Sequence, residues 1–96
     1  MNEKFEWDES KNKSNFQKHG ISFNEAQTVF SDELAIYLSD DDHSDNEERF
    51  IVIGASARTR LLVVCHCYRK SETVIRLISA RKAEKAEIDL YYGGVL

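Results

Sequence analysis

The side chains best equipped for chemistry stand close together late in the chain. Arg76 to Lys85 read RLISARKAEK, which places Arg76, Arg81, Lys82 and Lys85 across the expected end of a strand and start of a helix. A helix start carries partial positive charge, which cations oppose and anions relieve. Its free backbone N–H groups can hold a phosphate, and Ser79 can add a hydroxyl donor. The competing reading is that these cations pair with carboxylates elsewhere and only hold the domain together. Arg76 interrupts an apolar strand on the face of Val74 and Ile78. It either ends on an open sheet face that takes a ligand or is buried against a carboxylate at a cost in desolvation.

Other reactive groups carry less. His19 closes a helix, where the dipole favours its protonated form, so a capping role leads. His43 sits among carboxylates that should raise its pKa. His66 lies between Cys65 and Cys67 but points to the opposite side of their strand, so the three cannot ligate one metal ion. The two thiols share a face about 6.6 Å apart, too far for an easy disulfide, and read as small core hydrophobes in a reducing compartment. The run Ser39 to Glu48, SDDDHSDNEE, imitates a calcium loop but has Asp45 where glycine is needed and Ile51 where the closing glutamate belongs. Neither a metal nor another cofactor is expected. Glycine-rich phosphate loops, nucleophile elbows and HExxH are missing from the sequence, which removes most nucleotide hydrolases, serine hydrolases and zinc proteases. RNA cleavage remains compatible with so small a chain, because the substrate brings its own nucleophile, the 2′-OH. The protein then needs a proton acceptor, cations around the phosphorane and a donor for the leaving oxygen.

These groups must be positioned by a chain of 96 residues, 42% hydrophobic and 31% charged, which fits one folded domain spanning 1–96. No apolar run can cross a bilayer and no signal peptide is visible, so a cytoplasmic location without membrane association is expected. The net charge of −4 hides a division. Residues 1 to 50 hold thirteen acids and five bases, whereas residues 51 to 96 hold four acids and eight bases, so the second half can gather phosphates if its cations share a face.

Lys4 to Trp7 reads as a short strand with Phe5 and Trp7 on one side. Asp8 caps a helix that stops at Gly20 and is polar apart from Phe16, so only a narrow stripe of it can be buried. Ser22 and Glu25 form a capping box, Ile21 and Ala26 a staple, and Phe23, Ala26, Val29 and Phe30 an inward face, completing a helical hairpin. Period-two runs follow at Leu34 to Leu38, Arg49 to Ala55, Leu61 to Tyr68 and Thr73 to Ser79; LLVVCHCY is apolar on both faces and suits a central strand. Ala80 to Tyr92 reads as a terminal helix. The expected class is α+β: a largely antiparallel meander sheet with the hairpin on one face and the other face exposed.

Three segments, FEWDESKNKSNFQKHGISFNEAQTVF, DDHSDNEERFIVIG and IRLISARKAEKAEIDLYY, resemble the BrnT family of toxins from type II toxin–antitoxin modules over nearly the whole chain. The specificity lies in KHGI-x-F-x-EA, D-H-S-x-x-E-x-R and R-x-ISARKA occurring in that order and spacing. The resemblance implies a RelE-like fold, endoribonuclease activity that arrests translation, and a hetero-oligomer with a BrnA-type antitoxin. That antitoxin carries a ribbon-helix-helix domain through which the complex meets its promoter DNA. Arg76, Ser79, Arg81 and Lys82 fall in the third motif, and His19 and Arg49 in the other two. On this reading Arg76 and Arg81 stabilise the phosphorane, Lys82 binds backbone phosphate and His19 or Tyr91 transfers protons. Arg49, Arg60 and Lys85 add contacts to RNA. The alternative from another class is a non-catalytic subunit that docks the antitoxin and modulates its operator binding.

Overall fold

The computed structural model describes residues 4–40 and 47–93. Five strands form one sheet in the order β1-β5-β4-β3-β2: β1 (Lys4–Glu6), β2 (Ile36–Ser39), β3 (Phe50–Ala55), β4 (Leu61–Arg69) and β5 (Val74–Lys82). β2 to β5 make the antiparallel meander, and β1 adds a parallel edge to β5 from Lys4↔Val74 to Glu6↔Arg76. β4, the doubly apolar run, is central. The α+β class and the meander are as expected.

The first hairpin follows its local signals with two departures. Asp8 accepts from the N–H groups of Ser10 and Lys11 to open α1 (Glu9–His19), and Gly20 closes it at φ 72°, a conformation natural to glycine. The stripe turned inward is not Phe16, which is 55% exposed, but the amide pair Asn12 and Asn15. Asn12 Oδ1 accepts from the Phe23 N–H at 2.8 Å. Asn15 exchanges hydrogen bonds with both backbone groups of Ala80, at 2.9 and 3.0 Å, and donates to the Ile21 carbonyl. Beyond Arg76, β1 no longer pairs with β5, so this one amide supplies to the strand edge what a neighbouring backbone would.

The second helix is shorter than its pattern suggests: α2 (Phe23–Ala26) passes into a 3₁₀ segment, Gln27–Ser31. Ser22 Oγ accepts from the Glu25 N–H, but the Glu25 carboxylate does not return to complete a capping box. It is drawn away by Arg60 and by the Ser56 hydroxyl at 2.8 Å. Ile21, Phe23, Ala26 and Val29 nevertheless bury completely against Val52, Leu62, Val64, Ile75, Leu77 and Ala80, forming the core on one sheet face. Gly54 lets the 3₁₀ segment approach β3, since a Cβ there would lie 3.2 Å from the Val29 carbonyl oxygen.

Two expected boundaries move. Leu34 lies in a turn, 71% exposed, because Asp32 Oδ1 accepts its N–H and the Asp32 carbonyl accepts that of Ala35. β5 continues to Lys82, so the terminal helix begins at Lys85 rather than Ala80 (α3, Lys85–Tyr91). The pairs Val64↔Ala80, Val63↔Arg81 and Leu62↔Lys82 extend the ladder, and tertiary pairing outweighs the helical preference of this alanine- and lysine-rich run.

The second sheet face is not open throughout, as the sequence suggested. Ile53, Val63 and Cys67 are buried there, and α3 packs against β3. His43 and the centre of the acidic run lie outside the described residues.

Candidate functional site

A β-bulge builds the site. Cys65 pairs with Ser79 and His66 with Leu77, so Ile78 has no partner of its own. In an unbroken strand Arg76 would face opposite to Ser79 and Arg81, because side chains alternate. The extra residue restores the phase. Arg76 stands opposite Cys67, Ser79 opposite Cys65 and Arg81 opposite Val63, and all lie on the face turned away from the helical hairpin. The positions of Arg76 and Arg81 are about 13 Å apart along the sheet, at 3.3 Å per residue of β4.

Around Arg81 this face hollows into a cavity of about 290 Å³ lined by Asp40, Arg49, Ile51, Val63, Cys65, Ile78, Ser79 and Arg81. Ile51, Val63 and Ile78 give an apolar floor; two guanidinium groups, a hydroxyl, a thiol and a carboxylate supply the polar groups. Arg81 is held by Glu87 of α3 through two parallel bonds of 2.9 and 2.6 Å. Those bonds from Arg81 lower the Glu87 pKa and raise that of Arg81. Glu87 also accepts from the Glu84 N–H, closing the capping box that opens α3. Acidic residues of the last helix thus serve the arginine as well as the helix.

Arg76 lies outside this cavity. It bonds Glu6 of β1 at 3.0 Å, and Arg69 reaches the same carboxylate oxygen at 3.3 Å. Both alternatives for Arg76 are therefore partly met, since its side chain is paired yet remains 33% exposed. Cys65 is half-buried in the cavity and donates to Asp40 at 3.7 Å, and burial first, with the Asp40 charge second, pushes its thiol up to about 11. Cys67 is buried beside Glu47, and burial again leads the upward shift of its thiol.

The remaining candidates lie elsewhere. Lys82 shares its face with Ala80, opposite to Arg81, and the expected phosphate site at a helix start around Ser79 to Lys82 does not form because those residues are strand. Lys85 pairs with Asp89 at 3.2 Å and is 88% exposed. His19 ends α1 on the helical side. Tyr91 donates to Asp32 at 2.6 Å, and that bond, with burial, pushes its hydroxyl up to about 12, so it acts as a latch for α3. Arg60 is drawn onto Glu25 by both Nε and Nη2 and also donates to the Gly20 carbonyl, tying α2 to the β3–β4 turn. Arg60, Lys82, His19 and Tyr91 therefore do not join the groove in this structure.

His66 does face away from the cysteines, as alternation requires. It is fully buried, ringed by Phe30, Tyr37, Phe50 and Tyr68 at centroid distances of 4.9 to 6.3 Å. Its Nδ1 lies 3.2 Å from the Val64 carbonyl, and Nε2 has no hydrogen-bond partner among the described residues. Burial lowers its pKa. Sequence reasoning missed Asp40 and Cys65 as cavity residues. Strand alternation carried a signal for Cys65, whereas Asp40 is one of several acids in a row.

Fold and groove together define a small α+β protein that presents guanidinium and hydroxyl groups on a sheet face, chemistry suited to a phosphodiester. Residues 7–87 match the family "ribonuclease toxin, BrnT, of type II toxin-antitoxin system", and the chain belongs to that family. The crystal structure of the Brucella abortus ribonuclease toxin BrnT superposes with a TM-score of 0.65 at 23% identity, covering 88% of this chain and 100% of that one. A search of curated proteins returns no significant match. No helix among the described residues is long and apolar enough to cross a membrane.

Proposed function

We propose that this protein is an endoribonuclease that cleaves RNA by attack of the 2′-OH on the adjacent phosphate and so inhibits translation. The carrying observation is the phase shift at Ile78, which turns Arg76, Ser79 and Arg81 to one face and puts two of them in a cavity with Arg49. Arg81 and Arg49 offer charge to the phosphorane, Ser79 offers a donor, and Arg76 lies farther along the face where the next stretch of ribose-phosphate would run. Arginine and serine supply this stabilisation without a metal. The partner in this reading is a BrnA-type antitoxin with a ribbon-helix-helix domain, which masks the groove, forms a hetero-oligomer with the toxin in the cytoplasm and carries the complex to promoter DNA.

Induced expression tests the reading. Without the antitoxin the wild type should stop growth and degrade RNA, and co-expressed antitoxin should relieve both effects. The double variant Arg76→Ala with Arg81→Ala should keep its fold and lose cleavage by about 10²-fold or more. Undiminished cleavage by that variant rejects the assigned roles. The intramolecular pairs Arg76–Glu6 and Arg81–Glu87 support the second reading, a docking subunit without activity, under which the wild type neither arrests growth nor cleaves RNA.

A further inference from the structure

We propose that Asp40 is the proton acceptor that activates the 2′-OH, an assignment that rests on the ribonuclease reading above. Asp40 follows β2 directly, and its backbone N–H donates to the Arg49 carbonyl at 2.8 Å, adding one rung beyond the β2–β3 ladder. That rung fixes its Cα beside the arginine. Its side chain reaches over β4, where Oδ2 accepts from the Cys65 thiol at 3.7 Å. The carboxylate is thereby brought to the cavity that also holds Arg49, Ser79 and Arg81.

The chemistry of the lining selects it. Guanidinium groups stay protonated and cannot take a proton. The Cys65 thiol, pushed up to about 11, keeps its proton at neutral pH, and the Ser79 hydroxyl holds its own more tightly still. Among the described lining residues only Asp40 offers a lone pair on an anion. The bases suggested by sequence are placed elsewhere, His19 on α1 and Tyr91 bonded to Asp32, and the buried His66 is sealed on the opposite face. A carboxylate beside two arginines weakens binding of an anionic backbone, so its presence needs a compensating role, and proton abstraction supplies one.

The step balances. The Asp40 carboxylate takes the 2′-OH proton as the 2′-oxygen bonds to phosphorus, and the bond from phosphorus to the 5′-oxygen breaks. The departing 5′-oxygen takes a proton from solvent, and the Asp40 carboxyl returns its own to solvent. The products are a 2′,3′-cyclic phosphate and a 5′-hydroxyl end.

The test uses the full chain with an end-labelled oligoribonucleotide, both free and in a translating extract, with binding and single-turnover cleavage measured separately. Asp40→Asn should bind RNA within about threefold of the wild type, or more tightly, and cleave at least about 10²-fold more slowly. Asp40→Gly should regain rate on addition of formate, saturably, an effect that loss of a structural contact does not produce. Cleavage by Asp40→Asn within threefold of the wild-type rate overturns the assignment, as does an unchanged rate at altered positions, which would make Asp40 a reader of the base. If Asp40→Asn fails to fold, the absence of formate rescue in a folded Asp40→Gly overturns it. A wild type that cleaves RNA in neither setting brings down the ribonuclease reading itself and this assignment with it.

Discussion

Replacing Asn15 by alanine should unfold the protein at a temperature well below that of the wild type. The side chain makes three hydrogen bonds, two of them to Ala80, and both residues are almost fully buried at 7% and 1% exposure. Each such bond contributes about 1 kcal/mol net, and a buried N–H left without a partner costs a further 1–3 kcal/mol unless water enters. A loss of about 3 kcal/mol is therefore expected. For a domain of this size each kcal/mol shifts Tm by about 4–8 °C, so the fall should be about 12–24 °C. Calorimetry measures the global effect, and amide hydrogen exchange at Ala80 measures the local one, where protection should drop more than in the centre of β4. A Tm within about 3 °C of wild type together with unchanged protection at Ala80 would show that the amide is not the effective edge of β5.

Two other perturbations test buried charge. Glu25→Gln should cost about 2 kcal/mol at pH 7, below the usual figure for breaking a buried pair because Arg60 keeps access to water. Glu25 has its pKa lowered, with the Arg60 bond the leading cause, so this stability is present above the ordinary value of 4.5 and is lost as pH falls through the lower folded value. The wild type and variant melting curves should converge there, and a gap that persists in strong acid would contradict the pairing. His66→Phe should flatten the acid side of the stability profile. Below the ordinary value of 6.5 the unfolded chain takes a proton that the buried imidazole refuses, so the wild type loses stability as pH falls toward the lower folded value. Identical slopes for both proteins between pH 6.5 and 5 would contradict that.

What could be read in advance was set by local chemistry. Asp8, Gly20 and Ser22 mark helix ends through bonds spanning three or four residues, and the opposed faces of His66 and the two cysteines follow from alternation alone. The α+β class followed from the grouping of elements. The site was legible as a motif, because Arg76, Ser79 and Arg81 stand in one short run, but not as a geometry. The bulge at Ile78 exists only against β4, and the extension of β5 to Lys82 depends on the length of that partner. The inward turn of Asn12 and Asn15 in place of Phe16 is equally non-local, since an amide gains from burial only when a strand edge lacks a neighbour. Asp40 reads in the sequence only as one acid of a run resembling a calcium loop, because its placement in the groove depends on a rung with Arg49 and a thiol from a third strand.

The unpaired Ile78 makes this stretch tolerant of a change in length as well as in identity. A different aliphatic side chain at 78 leaves the alternation on either side intact. Deleting Ile78 would close the bulge and set Ser79 directly after Leu77, still opposite Cys65, so plain alternation would keep Arg76, Ser79 and Arg81 on one face and Ala80 in the interior; what would be lost is the local bend of β5. Natural variants of this protein should therefore include chains one residue shorter at that point with the same three side chains on the groove face, a freedom that a comparison of insertions and deletions can expose where a comparison of substitutions would not.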